Sequence, residues 1–254
     1  MSARPDSADE TRGVTSLDQL RALMGDCRRC ALADTRTELV FGVGDPHARL
    51  MFIGEAPGKN EDLRGEPFVG AAGKLLDDLL AGMGLDRREV YIANILKSRP
   101  PGNRDPLPEE IDACTPFLRE QVRLVDPDLI ATLGNYATRF MLGRPEGITA
   151  LRGHLFRVER RLILPIFHPA VALYDPKKRP ALEEDFRRLR SVLARIARGE
   201  LDPEGGSDAL DLEPPAVAKG PESPGEAEAR SGGGSGPDGE SEPLQPPLEG
   251  LEGL

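Results

Sequence analysis

Three residues carry side chains that could recognise a flat, polar ligand. Phe68 lies in the glycine-rich segment 65–70, and a ring on a loop can stack on a planar base, although a lone phenylalanine is more often part of a core. The amide of Asn94 offers a donor and an acceptor together, which can read a pyrimidine edge or, equally, cap a turn. His168, within Phe-His-Pro, can stabilise negative charge or move a proton, although a single histidine is more often structural.

A glycine-rich turn precedes Phe68 in the chain. Residues 54–58 read GEAPG and are followed by Glu61 and Asp62. Glycines at the end of a strand let backbone amides approach a ligand. A lone GxxxG spacing is also typical of an ordinary turn, so this segment alone leaves both interpretations open.

The three cysteines of the chain could bind a metal. Cys27 and Cys30 form a C-x-x-C pair, and Cys114 lies far downstream. In a reducing compartment this pattern indicates an iron–sulfur cluster, a zinc site or a redox pair. Four ligands are expected and only three are thiols, so the pattern does not choose among these sites.

The elements that position these residues are predicted to form a parallel sheet. Short apolar runs indicate buried strands at 49–53, 90–95, 129–133 and 162–167. Helical patterns cover 73–83, 108–125, 135–142 and 182–197, and Ser16 with Gln19 forms a capping box for a first helix that ends near Gly25. Strands that alternate with helices predict an α/β fold with a mostly parallel sheet of about four strands and helices on both faces. Ligands bind such sheets at the carboxyl ends of the strands.

Charge and composition together divide the chain into three regions. The 254 residues include 33 basic and 43 acidic ones, for a net charge of −10. Residues 201–254 hold 13 of the acids and two of the bases, together with 11 glycines and 9 prolines. This composition predicts a disordered acidic tail over 200–254, a domain over 15–199 and a flexible arm over 1–14. The remainder is almost neutral and is therefore free to bind a polyanion.

Composition excludes several classes of protein. No apolar run approaches the roughly 18 residues of a membrane span, and the polar N-terminus lacks the apolar core of a signal peptide. Three cysteines are too few for a disulfide scaffold. We therefore expect a cytoplasmic protein, a monomer without membrane contact, whose tail is a candidate arm for binding another protein.

Taken together, the motifs are far more specific than any one of them. In order they are C-x-x-C, GEAPG-x-x-ED, G-x-PFVG, a strand ending in Asn, RPPGNR, a helix with Cys, LG-x-x-A and FHP. This series closely resembles the family 4 uracil-DNA glycosylases, the iron–sulfur branch of their superfamily, over about residues 16–195. The resemblance implies a three-layer α/β/α sandwich that hydrolyses the N-glycosidic bond of uracil in DNA.

The resemblance also implies roles for single residues. Glu55 and Ala56 match the first motif, where the alanine backbone lines the base pocket. Phe68 matches the ring that stacks on uracil, Asn94 the amide that reads its edge, and His168 the histidine of the second motif. Ala56 stands where other branches of the superfamily carry a water-activating aspartate. Another residue must therefore orient water, and Glu61 is the implied candidate, with Glu55 and Asp62 as alternatives.

Contacts with the DNA backbone are expected from loops near the strand ends. Arg99, Arg104 and Arg152 are the candidates for phosphate contacts, with Lys97 adjacent, although each is equally well a solvated surface charge. Leu173 is the candidate for insertion into the opened base stack, in the loop that follows the histidine.

The family's [4Fe-4S] cluster has four cysteine ligands, and this chain departs from that pattern. Cys27, Cys30 and Cys114 match three of them, and Ser98 stands at the fourth position. A cluster with Ser98 or solvent as the fourth ligand, a three-iron cluster and a lost cluster are all open; we expect a retained cluster with a structural role. Ala170 replaces the serine that usually follows His-Pro, which removes one possible phosphate contact.

Two other functions compete with uracil excision. One is a non-catalytic relative that binds damaged DNA, yet Asn94 and His168 are both present. The other is a redox or zinc protein, which leaves Phe68 without a role. The segment 98–104 carries neither a histidine nor an insertion, unlike relatives that bond covalently to DNA, which favours ordinary turnover.

Overall fold

Six strands form one sheet at the centre of the protein. The computed structural model describes residues 10–203 and residue 205. The strands are β1 (Val43–Gly44), β2 (Leu50–Gly54), β3 (Tyr91–Asn94), β4 (Leu129–Leu133), β5 (Phe156–Val158) and β6 (Arg161–Ile166), in the order β1-β3-β2-β4-β6-β5. The four central strands are parallel and are the four predicted from the sequence. The edge strands β1 and β5 are antiparallel additions that no sequence pattern indicated.

Helices cover both faces of this sheet. They are α1 (Leu17–Met24), α2 (Lys59–Arg64), α3 (Ala71–Met83), α4 (Pro108–Val125), α5 (Gly134–Leu142), α6 (Ile148–Leu151), α7 (Val171–Tyr174) and α8 (Arg179–Ala197). Apolar residues of α3 and α8 form one core with the sheet, and those of α4 and α5 form a second. The predicted three-layer α/β/α sandwich is confirmed.

The strand register brings the ends of the central strands together. Gly54 pairs with Asn94 across β2 and β3, and Leu133 pairs with Ile166 across β4 and β6. The GEAPG turn, Asn94 and the Phe-His-Pro segment therefore leave the sheet at the same edge. This is the edge at which ligands bind parallel sheets.

The first helix begins as predicted, with one difference. The Ser16 hydroxyl accepts a hydrogen bond from the backbone N–H of Gln19 at 3.2 Å, and the helix ends at Gly25. The Gln19 side chain, however, accepts from the backbone N–H of Thr15 at 2.9 Å and not from that of Ser16.

The two predicted terminal regions lie mostly outside the described residues. Within the predicted arm, Glu10 pairs with Arg29 at 2.7 Å, and the carbonyl of Val14 accepts from Arg123 at 2.6 Å. Leu201, assigned to the tail by composition, is buried. Each helix of the described residues is too short or too polar to cross a membrane.

Candidate active site

A cavity of about 430 Å³ opens at the carboxyl edge of the sheet. Six residues that the sequence singles out line it together: Glu55, Ala56, Glu61, Phe68, Asn94 and His168. They come from four separate segments of the chain, and the parallel strands bring them together.

The side chains of Asn94 and Phe68 both lie close to Gly54, at the end of β2. A Cβ on Gly54 would lie 2.4 Å from the Asn94 Oδ1 atom and 2.9 Å from the Phe68 ring. Real Cβ atoms do not come so close, so glycine is required at this strand end. Asn94 itself is 2 % exposed; its amide is therefore held in a mostly dry environment, where hydrogen bonds to a ligand are strong.

Phe68 has an unusual backbone conformation. Its φ is 54°, in the left-handed region that residues other than glycine seldom adopt. The following helix passes so close that a Cβ on Gly73 would lie 1.8 Å from the Phe68 carbonyl oxygen. The ring packs against the imidazole of His168 with centroids 5.4 Å apart and an interplanar angle of 29°. The loop therefore presents the Phe68 ring and the imidazole as adjacent walls of the cavity.

Glu61 holds the loop that carries Phe68. Its Oε1 atom accepts hydrogen bonds from the backbone N–H groups of Val69 at 2.9 Å and Gly70 at 2.8 Å. Sequence reasoning missed this contact because it depends on backbone groups eight and nine residues away. The role of Glu61 in orienting water stays a prediction. Because Oε1 is occupied by the two amides, Oε2 is the atom that would orient the water.

His168 is oriented by a backbone amide. The N–H of Ala170 donates to the Nδ1 atom of His168 at 3.1 Å, so a neutral imidazole carries its proton on Nε2. Burial lowers the pKa of His168 to about 4, although the charge of Glu61 opposes that shift. At neutral pH the side chain is therefore an uncharged N–H donor. In the sequence, Ala170 is notable only for the absence of a serine hydroxyl. In the structure, its backbone N–H fixes the tautomer of His168.

Glu55 is a half-buried carboxyl group in the cavity wall. Burial, and secondarily the charge of Asp105, raise the pKa of Glu55 to about 7. It therefore titrates in the neutral range. Ala56 lies beside it in the wall and has no group that could activate water.

The cysteines and Ser98 lie near one another on the side of the sheet covered by α4. Cys30 packs against the core that contains the buried Cys114. Burial, opposed by Lys97 and assisted by the charges of Cys30 and Cys27, raises the pKa of the Cys114 thiol to about 12. Arg36 connects this group to Ser98. Its Nη1 atom donates to the Cys27 carbonyl at 2.6 Å and to the Ser98 hydroxyl at 3.3 Å. Within the described residues, no three His, Cys, Asp or Glu side chains are grouped closely enough for a single ion.

The basic residues predicted to contact DNA differ in their surroundings. Arg99 donates to the Asn103 side chain at 2.7 Å near the surface. Arg104 lines the cavity and forms a two-bond pair with Glu110, at 2.6 and 2.9 Å. Arg152 is mostly buried, pairs with Asp185 at 2.5 Å and lies over the Phe167 ring.

Lys97 is the one basic candidate that the structure removes from the DNA surface. It is 2 % exposed, and its ammonium group donates to the Asn94 carbonyl at 2.7 Å and to Gln121 at 2.6 Å. A phosphate contact is therefore wrong for Lys97, because both of these acceptors lie inside the protein.

Helix α7, which follows His168, carries two exposed side chains with large apolar surfaces. Leu173, the predicted insertion residue, is 46 % exposed, and Tyr174 is 88 % exposed. Tyr174 also lines the mouth of the cavity. Sequence reasoning did not single out Tyr174, although it is one of only three tyrosines in the chain.

Known proteins resemble this chain over most of the described residues. A family model described as the uracil DNA glycosylase superfamily matches residues 41–190. The type-4 uracil-DNA glycosylase of Archaeoglobus fulgidus is 44 % identical over 190 residues, covering 72 % of this chain and 96 % of the relative. That of Sulfurisphaera tokodaii is 41 % identical over 198 residues, covering 74 % and 90 %. The type-5 uracil-DNA glycosylase of Thermus thermophilus is 33 % identical over 118 residues, 41 % of this chain and 53 % of the relative.

Proposed function

This chain belongs to the uracil-DNA glycosylase superfamily, and we propose that the cavity at the strand ends is where it excises uracil. The enzyme hydrolyses the N-glycosidic bond between uracil and deoxyribose in DNA, the first step of base excision repair. The observation that carries the proposal is the meeting of Phe68, Asn94 and His168 in one cavity. They provide a stacking surface, an amide and an uncharged N–H donor, which together suit a uracil ring.

Uracil must leave the base stack to enter this cavity. The Phe68 ring then supports one face of the base, and the Asn94 amide pairs with the polar edge that distinguishes uracil from cytosine. The buried position of Asn94 makes discrimination strict. A base with the opposite donor pattern would leave a buried amide without its partners, which is costly.

Cleavage leaves the electron pair of the glycosidic bond on uracil, which departs as an anion. The Nε2–H group of His168 donates to a uracil oxygen, where negative charge develops. A neutral donor suits this task because it stabilises the anion and keeps its own proton. The Ala170 amide supports the donor by holding Nδ1 as an acceptor.

The sugar gains positive character as the bond breaks, and a water molecule must then attack it. Ala56 cannot act as a base, so the two nearby carboxyl groups are the candidates. We assign the orientation of water to Glu61, through its Oε2 atom, since Oε1 is held by two backbone amides. Glu55, when charged, stabilises the positive sugar through its field.

The loops around the cavity supply contacts with the DNA backbone. Arg99 and Arg104 are at the mouth or near the surface and suit phosphate contacts. Arg152 has its strongest partner in Asp185, so its support for DNA binding is indirect, through the loop that it braces. Leu173 and Tyr174 are exposed where an inserted side chain would hold the opened stack.

The cysteines are suited to an iron–sulfur cluster. Three thiols and the Ser98 hydroxyl share one neighbourhood, and thiolates are the ligands that such clusters prefer. Cys27, Cys30, Cys114 and Ser98 would hold the [4Fe-4S] cluster. When bound, the cluster would cross-link the N-terminal segment to the start of α4, a structural role.

The organisation of the chain completes the proposal. The domain over 15–199 would act as a cytoplasmic monomer, and the acidic segment 200–254 would bind another protein. Removal of residues 206–254 tests the competing possibility, that the acidic segment repels DNA. An unchanged salt dependence of DNA affinity in the shortened chain would exclude competition between the acidic segment and DNA.

The pocket assignment is tested by incubation with a labelled oligonucleotide that contains one uracil, followed by alkaline cleavage of abasic sites. The wild type should cut it, and Asn94→Ala and His168→Ala should each lose about 10²- to 10³-fold in single-turnover rate. His47→Ala is the matched control, because His47 is exposed and outside the cavity. Equal rates for wild type and both cavity variants would refute the assignment. Complete inactivity of folded, iron-loaded wild type would favour the DNA-binding relative instead.

A further inference from the structure

The left-handed backbone of Phe68 requires something outside the cavity to hold it. A bulky residue at a φ of 54° is strained, and such strain persists only where the surroundings impose it. Glu61 fixes the amides that follow Phe68, namely those of Val69 and Gly70. It does not bind the carbonyl group of Pro67, which precedes the strained residue, or that of Phe68, which belongs to the same peptide unit as the Val69 amide.

Arg87 binds those carbonyl groups. It begins a short helical turn, Arg87–Glu89, soon after α3 ends. Its Nη1 atom donates to the Phe68 carbonyl at 2.9 Å, and its Nη2 atom donates to the Pro67 carbonyl. An ion pair with Asp77 of α3, at 3.1 Å, holds the guanidinium in place. Arg87 does not line the cavity.

We propose that Arg87 is a positioning residue for uracil excision, acting through Phe68. Its planar guanidinium spans two successive carbonyl groups as a fork, which a lysine ammonium cannot do from one position. Arg87 and Glu61 thus hold the Phe68–Val69 peptide by its carbonyl and by its N–H, and Arg87 also holds the carbonyl of Pro67. The ring is therefore fixed beside His168 before uracil arrives. The inference rests on the proposed stacking of Phe68 against uracil.

The test compares Arg87→Gln and Arg87→Lys with Arg88→Gln. Arg88 is the neighbouring residue, is 88 % exposed at its side chain and pairs only locally with Asp86, so its replacement controls for loss of charge. We expect Arg87→Gln to raise the inhibition constant of free uracil about tenfold and to lower kcat/KM by a similar factor, within the range of one lost base–aromatic stack. Arg87→Lys keeps the positive charge beside Asp77 but not the fork, and should show part of the same loss. Arg88→Gln should match the wild type.

The same substitutions in a Phe68→Leu background separate positioning from general damage. If Arg87 acts through the ring, Arg87→Gln and Arg87→Lys should change the uracil inhibition constant little once the ring is gone. An equal factor in both backgrounds, or wild-type values in a folded Arg87→Lys, would overturn the inference. If Phe68→Leu alone leaves uracil inhibition unchanged, the proposed stacking fails and not the contact of Arg87.

Discussion

Gly54→Ala is the smallest change that should disable the cavity while sparing the fold. The added methyl group would lie 2.4 Å from the Asn94 Oδ1 atom, about 1 Å short of ordinary contact. It would also lie 2.9 Å from two atoms of the Phe68 ring. Both neighbours are side chains, so they can move, but each movement displaces a group that should touch uracil.

The size of the effect follows from this displacement. A misplacement of about 1 Å in a catalytic group lowers rates roughly 10²-fold, which corresponds to about 2.7 kcal/mol of transition-state stabilisation. The overpacked strand end should lower the free energy of unfolding by only about 1–3 kcal/mol. The variant should therefore fold, bind DNA without uracil normally and cleave slowly.

Single-turnover excision from a uracil-containing duplex measures this effect, with thermal unfolding recorded in parallel. Gly82→Ala is the matched control, because a Cβ at that position in α3 meets nothing within 4 Å. It should keep the wild-type rate and gain roughly 0.5–1 kcal/mol of stability. A wild-type rate in folded Gly54→Ala would refute the reasoning, since the clash would then have been relieved without moving Asn94 or Phe68.

Three further expectations follow from the site. Glu55, with a pKa raised to about 7, is charged above that pH, so the single-turnover rate should rise as the pH increases through about 7. The Glu55→Gln variant should not show this rise. His168 is neutral above about pH 4 and should add no step of its own to the profile. Ser98→Cys should raise the iron content per chain and the visible absorbance of anaerobically purified protein, whereas equal iron in both would show that the fourth thiol is dispensable. Tyr174→Ala should weaken excision from duplex DNA more than excision from single-stranded DNA. The loss should exceed that of Leu173→Ala, because Tyr174 is the more exposed side chain. Equal losses on both substrates would contradict a role in holding the opened stack.

The central sheet could be predicted because its strands are buried on both faces. Each of the four parallel strands is buried along its whole length and consists mostly of apolar residues, a pattern that local sequence reveals. The edge strands have two and three residues and are half-buried, so no periodicity distinguishes them from loops. They depend on pairing with β3 and β6, which is a tertiary contact.

The residues that face the cavity were also accessible from sequence, whereas those that hold them were not. Asn94 and His168 stand at strand ends, and the parallel topology requires these ends to meet. The guanidinium of Arg87 binds backbone carbonyl groups, and Ala170 acts through its own backbone amide, so neither contact has a signature in the sequence. Lys97 resembles a surface cation in the sequence, and only the fold shows that the side-chain oxygen of Gln121, 24 residues away, accepts a hydrogen bond from it inside the protein.

The arrangement of charges indicates which half of the reaction the enzyme assists most. The leaving uracil meets a neutral donor whose tautomer is fixed by a backbone amide, and a buried amide from Asn94. In the proposed site, the attacking water would meet Glu61, which has one oxygen committed to the backbone, and Glu55, which is half protonated near pH 7. Ala56 has no basic group that could activate the water strongly. We therefore expect the departure of uracil to be well advanced before water bonds to the sugar, and the rigid placement of Phe68, Asn94 and His168 to matter more than the strength of any base.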